Sequence, residues 1–297
     1  MPELSLVDSA AAVEVRCDGQ PLCRYVHRPD VPQLESPKPY LHPVHTLAGD
    51  LVTAYRPHDH VWHKGIQLAL PHVGPENFWG GVTWVRDRGY VQLPNNGSMR
   101  HAGFDALEAQ GDTARIAERL EWVIESGEHW IDERRTLAAR ILDGAWLLSF
   151  SSELTNRSGR DLPFGSPTTN GRPNAGYGGL LWRGPRSFTG GDVLGPGGAR
   201  GEDALMGARG PWVAFVGTQD ETLRRNTLAF FDAAGPPWFV RSTPYVVAGP
   251  APFFHEEHTV ADGEALALRC DIAIADDAWG EEDVEAFRAG LLAEVAP

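Results

Sequence analysis

Three cysteines in 297 residues, Cys17, Cys23 and Cys270, are too few and too unevenly spaced for a disulfide framework. Cys17 and Cys23 flank Asp18-Gly19 and could meet across a hairpin, but no export signal precedes them. Met1-Pro2-Glu3-Leu4 has neither a basic stretch nor an apolar one. No window approaches the ~20 apolar residues of a membrane span. Positive charge is scarce too, with 26 Lys and Arg against 40 Asp and Glu and a formal net charge of −14. Such a chain repels phosphate backbones and anionic lipid surfaces. No basic stripe overrides the total, because Arg134-Arg135 and Arg224-Arg225 sit beside acids. These absences set the first expectations: a reducing cytoplasm, no nucleic acid and no membrane. The expected partner is a small molecule such as a sugar, read by hydrogen bonds and aromatic stacking, with a homo-oligomer allowed.

Internal repeats are absent, and so is an alternating strand–helix rhythm, which argues against Rossmann and TIM architectures. What is present is punctuation. The 33 glycines and 23 prolines lie between short β-type runs, not in one block. Residues 12–16 alternate apolar and polar, Asp18-Gly19 turns, and residues 22–26 return as a hairpin. Residues 40–45 and 51–55 read as further strands. A meander follows over residues 104–109, 114–123, 129–142 and 145–154, separated by Gly111-Asp112, Ser126-Gly127 and Asp143-Gly144. A helix over 114–124 is the alternative, because Ala, Glu and Leu favour it. Residues 184–210 read as a long loop or lid, followed by strands at 212–217, 227–231, 238–242, 253–259 and 265–274. Residues 281–295 form the one convincing helix, with Val284, Phe287, Leu291 and Leu292 on one face and acids in its first turn. The prediction is an all-β chain, a large antiparallel β-sandwich spanning 1–297 as one domain, with the C-terminal helix packed on it.

No HExxH, no Walker loop and no recognisable Ser/His/Asp machinery occurs. Histidine is concentrated instead. Of 11 histidines, six, His42, His45, His58, His60, His63 and His72, lie between residues 42 and 72. Imidazole serves two chemistries, metal ligation by a neutral ring nitrogen and proton transfer near pH 7. On an extended chain His58 and His60 share a face, and a bend would let His63 join them around zinc or another divalent ion. A hydrogen-bonded loop whose histidines brace neighbouring strands is the bland reading. Pro43 restrains the backbone of His42 and so its imidazole. Trp79, beside Gly80-Gly81, is a stacking wall or a core residue. Asn170, Arg172 and Tyr177 belong to a polar glycine-rich loop that leads into Arg183. On a strand, His255 and Glu257 share one face, and either surface ion pairing or acid/base work would use them.

Tyr40-Leu41-His42-Pro43, then Asp59-His60-Val61-Trp62-His63-Lys64-Gly65, then Phe78-Trp79-Gly80 resemble the PmoA-like bacterial family of soluble β proteins. The chain departs from it at Lys38 and at Val61-Trp62, where Pro-His is usual. Gly178-Gly179-Leu180-Leu181-Trp182-Arg183 resembles a later element of the same family. The methane-oxygenase label does not follow, since that activity belongs to a protein of many membrane spans. Residues 153–158 with Leu162-Pro163-Phe164-Gly165 resemble the aldose epimerases of the galactose mutarotase-like supersandwich. That resemblance favours the supersandwich fold, although no histidine follows at Ser166–Asn170 where those enzymes keep one.

The leading expectation is a site for a carbohydrate or sugar-like molecule, performing acid/base isomerisation, epimerisation or elimination. His42, His60, His63 and Glu257 would handle protons, with His63 and Glu257 flanking one carbon. Lys64, Trp79, Asn170, Arg172, Tyr177, Arg183 and His255 would hold the substrate. No cofactor is required, and a divalent metal at His58, His60 and His63 is the variant that would make the chain a metal-dependent oxygenase or hydrolase. A non-catalytic carbohydrate- or partner-binding module is the third class.

Overall fold

In a computed structural model, which describes residues 2–295, two eight-stranded antiparallel sheets pack face to face. The first sheet runs, in spatial order, Leu4–Asp8, Ala12–Cys17, Gln20–Val26, Tyr40–Val44, Ile66–Ala69, Gly179–Arg183, Val247–Pro250 and Trp238–Arg241. The second runs Asp192–Leu194, Trp212–Thr218, Arg225–Phe231, Ala265–Ala275, Ala145–Asn156, His129–Leu142, Thr113–Val123 and Ser98–Gln110. The expected hairpin and the expected four-strand meander are both formed, and residues 114–124 are strand, not helix. All three cysteines are free, and Cys17 and Cys23 pair with Gln20 and Val15 instead of facing each other. Among the described residues no helix is long and apolar enough to cross a membrane.

Alternation of side chains along each strand divides the apolar residues among three places. The inner faces meet in one core that includes Val13, Tyr25, Leu41, Ile66 and Trp182 from the first sheet and Ile116, Leu148, Phe150, Phe230 and Ile272 from the second. The indole N–H of the fully buried Trp182 donates to the Val52 carbonyl at 2.7 Å, so its burial leaves no donor unmatched. The outer face of the second sheet is covered by the helix Glu281–Val295. Val284, Phe287 and Leu291 point into that contact, whereas Leu292 is exposed, because one residue beyond Leu291 swings a side chain by about 100°. The outer face of the first sheet carries Ala69, Leu181, Phe239 and Val247, covered by Trp79 and Phe254 from loops.

Three expected segments differ. Residues 51–55 make only isolated bridges at Leu51 and Tyr55, since strand Tyr40–Val44 already has a partner on each edge. Of 253–259 only His258–Val260 is strand, and residues 252–256 turn. The 184–210 loop contains a short strand, Asp192–Leu194, that edges the second sheet, and a single helical turn, Glu202–Leu205.

Gly65 is where the histidine loop meets the first sheet. Its φ is +55°, and a Cβ there would lie 2.0 Å from the Leu41 carbonyl oxygen, which is backbone and cannot give way. Gly65→Ala is expected to cost about 2–4 kcal/mol, from a positive φ plus overpacking. Urea unfolding measures this, and an unshifted midpoint would contradict it.

Candidate functional site

The loop between residues 54 and 65 closes on itself. Gly65 N–H donates to Ala54 O at 2.8 Å, Arg56 N–H to His63 O at 2.9 Å, and His63 N–H to His60 O at 2.9 Å. The chain therefore turns between His60 and His63, and their rings stack with centroids 4.9 Å apart. Gln67, on the outer face of strand Ile66–Ala69, holds the loop down by donating to Trp62 O at 3.0 Å and accepting from Lys64 N–H at 3.2 Å. Beneath it, the buried Glu35 carboxylate binds Lys64 Nζ at 2.8 Å and the Arg56 guanidinium. Burial alone would raise the Glu35 carboxyl, but its hydrogen bonds from Arg56 and Lys64 outweigh that and hold it below the usual value. Lys38, also buried, donates to Glu35 O and Ser36 O at 3.0 and 2.7 Å.

Above this base sits a charged fork. Arg183 ends strand Gly179–Arg183 and points to the outer face. Its Nη1 donates to His63 Nδ1 at 3.3 Å, and Nη2 reaches both Asp59 oxygens at 3.5 Å. The guanidinium lies over the Tyr245 ring, 4.3 Å from its centroid. Arginine only donates, so His63 Nδ1 is an acceptor and the proton of its neutral form sits on Nε2. That Nε2 is buried without a partner, as is the indole nitrogen of Trp62. His63 is held neutral well below its usual range, first by burial and then by His60 and Arg183.

Asp59 Oδ2 bonds His60 Nδ1 at 3.0 Å. His60 is only partly covered, and its Nε2 makes no hydrogen bond among the described residues. Burial lowers the His60 pKa, Asp59 raises it, Arg183 lowers it again, and the net position is below 6.5. Asp59 stays ionised because its bond to His60 and the charge of Arg183 overcome its burial. Aromatic rings surround these groups: Trp62 and Tyr245 stand 5.3 and 5.1 Å from His60, and Trp79 meets His63 edge-on at 5.2 Å. Tyr177 packs on Trp79 at 4.5 Å and on Phe239 at 5.6 Å. At the rim Tyr177 and Tyr90 hydroxyls bond at 3.0 Å, with Arg172 over the Tyr90 ring.

His60, His63, Trp79, Tyr177 and Arg183 are thus gathered, with Arg172 at the edge. Lys64 is sequestered by Glu35, because its ammonium is buried and ion-paired to that carboxylate at 2.8 Å. Asn170 caps its own loop through Ser166 O, and its carbonyl accepts from Trp84 Nε1 at 3.1 Å. His42 lies in the row of Gly65 and Arg183, two strands from the latter, stacked on Tyr55 and bonded to Thr53 Oγ1 at 2.9 Å. Burial pushes it down to about 4. His58 is exposed, and His58, His60 and His63 do not converge as metal ligands among the described residues, since the turn at His60 separates them. His255, in the 252–256 turn, and Glu257, just after it, are exposed, bonded to Gly207 O and Thr169 Oγ1, and no bond joins Glu257 to His63. Asp59, Trp62, Phe239 and Tyr245 were not singled out. Asp59 stands beside His60 in the same motif and could have been, whereas Phe239 arrives from the distant strand Trp238–Arg241 and Tyr245 from the bend between that strand and Val247–Pro250, without a local signal.

A family model described as "Family of unknown function (DUF6807)" matches residues 12–288. No curated protein matches the chain. Among solved structures, a galactose mutarotase related enzyme from Lactobacillus acidophilus is similar at 9% identity and TM-score 0.35, over 92% of this chain and 98% of that one. A protein from Escherichia coli K12 described as a "Putative aldose 1-epimerase" is similar at 11% identity and TM-score 0.34, again over 92% and 98%. None of the three carries the PmoA label suggested by the sequence motifs. Likenesses this distant carry no chemistry across.

Proposed function

The chain belongs to the DUF6807 family of unknown function, and we propose that it acts on a carbohydrate or sugar-like molecule, with His60 as general base and Asp59 as the group that orients it. The observation that carries this reading is the 3.0 Å bond from Asp59 to His60 Nδ1, with Nε2 left open. A neutral imidazole takes a proton from a carbon or hydroxyl at Nε2, and the adjacent carboxylate stabilises the imidazolium that results. Arg183 is a positioning residue, since it grips Asp59 and His63 together. The walls of Trp62, Trp79, Tyr177 and Tyr245 suit a ring with apolar faces and polar edges.

The test uses purified protein with a panel of aldoses, keto-sugars and sugar acids. Ligands are found by thermal shift and then followed by proton NMR in deuterium oxide. Wild type is expected to exchange one carbon-bound proton for deuterium or to release an eliminated product, and His60→Ala to bind the same ligand without doing either. A ligand that binds wild type and is never altered supports the non-catalytic module instead.

A further inference from the structure

Away from this site, His27, His101 and Glu118 offer one ligand atom each within 4.8 Å of one another. His27 follows strand Gln20–Val26 of the first sheet. His101 and Glu118 lie on neighbouring strands of the second, Ser98–Gln110 and Thr113–Val123. We propose that these three side chains form a binding site for a zinc-class divalent ion that clips the two sheets together.

The first support is an orphaned ring. His27 is 3% exposed, yet neither ring nitrogen makes a well-formed hydrogen bond, the Ser9 backbone being a marginal neighbour. A buried polar group of that kind needs a partner, and an ion supplies one. The second is the approach of the rings. His27 and His101 centroids are 4.4 Å apart, and Phe104 closes over both at 4.8 and 4.5 Å. Two imidazoles and one carboxylate are the donor set of open zinc sites, and this mixture favours first-row transition ions over calcium or magnesium.

The third is the shell behind the ligands. Glu118 accepts from the Tyr25 hydroxyl, which in turn accepts from Arg135 Nη1 at 3.2 Å. Such bonds fix the direction of a ligating carboxylate. The pairing of Thr113–Val123 with Ser98–Gln110 shifts register between Ala117 and Glu118 and again between Arg119 and Leu120. Irregularities of this type re-aim side chains; the extra residues, Ala102 and Asp105, fall on Ser98–Gln110, and Ala102 directly follows His101. His101 Nδ1 and Glu118 Oε1 now share a hydrogen bond. Metal uptake replaces that bond, and the shared proton leaves to solvent. Burial keeps His27 neutral, pushed down to about 4, which is the ligating form. Arg28, Arg119 and Arg135 oppose a cation here, while Asp8, Glu118 and Glu133 favour one.

The test is zinc titration of chelator-treated protein. One equivalent is expected to bind with proton release, and saturation at about 100 times Kd should raise Tm by about 5 °C. His27→Gln and His101→Gln should each weaken binding about 100-fold or more, while His60→Ala binds as wild type does. Absence of binding to wild type overturns the proposal, and so does binding that follows His60 in place of His27. Should the variants fail to fold, wild-type crystals soaked in zinc decide by anomalous scattering: a peak among the three side chains supports the site, and its absence there rejects it.

Discussion

Glu35→Ala is expected to destabilise the protein by about 3–5 kcal/mol, the cost of stranding a buried charge. Glu35 is 2% exposed, and Lys64 beside it is equally closed. With the carboxylate gone, Lys64 keeps a buried ammonium whose remaining acceptor is Val61 O at 3.3 Å, and Lys38 next to it loses a stabilising negative neighbour. Arg56 is 38% exposed at its side chain and can turn to water, so Lys64 carries the penalty. Because Lys64 adjoins His63, the loop that holds Asp59 and His60 should open before the sandwich melts. Chemical denaturation followed by Trp fluorescence measures the loss. A cost below about 1 kcal/mol would mean that the loop relaxes around the vacancy, whereas Glu35→Met with Lys64→Leu should recover much of it.

Asp59→Asn is expected to lower turnover about 100- to 10,000-fold with little change in KM, the range of a lost proton-transfer partner. With His60 as the proposed base its neutral form is the active one, so kcat/KM should be flat at high pH and fall as pH drops through a break below 6.5. Asp59 favours the imidazolium, so its neutral replacement moves the break further down. A purely structural Asp59 would reduce stability and rate without moving that break. Full turnover with an unmoved break would remove His60 from the chemistry.

The sandwich was legible where turn chemistry and alternation agree. Asp18-Gly19, Gly111-Asp112 and Asp143-Gly144 each join the strands they predict. Residues 51–55 are rich in β-favouring side chains as well, but a strand needs a free neighbouring edge, and local sequence cannot say that both edges of Tyr40–Val44 are taken. The histidine loop was legible as a cluster and not as geometry. Extended spacing pairs His58 with His60, whereas the turn stacks His60 on His63 and leaves His58 exposed. Glu118 was hidden for another reason: alternation puts it on the inward face with Ile116, Leu120 and Trp122, but a carboxylate there reads as a break in the pattern and gives no sign of the partners that hold it.

The register shifts between Ser98–Gln110 and Thr113–Val123 also shape the exposed edge of the second sheet. Ser98–Gln110 is the outermost strand of its sheet and 13 residues long, a length that could recruit a second molecule by backbone pairing. Its irregular pairing and the charges of Arg100, Asp105 and Glu108 along it give a neighbour a bent, charged template in place of a flat apolar one. The irregularities beside His101 therefore also protect the sandwich from edge-to-edge aggregation.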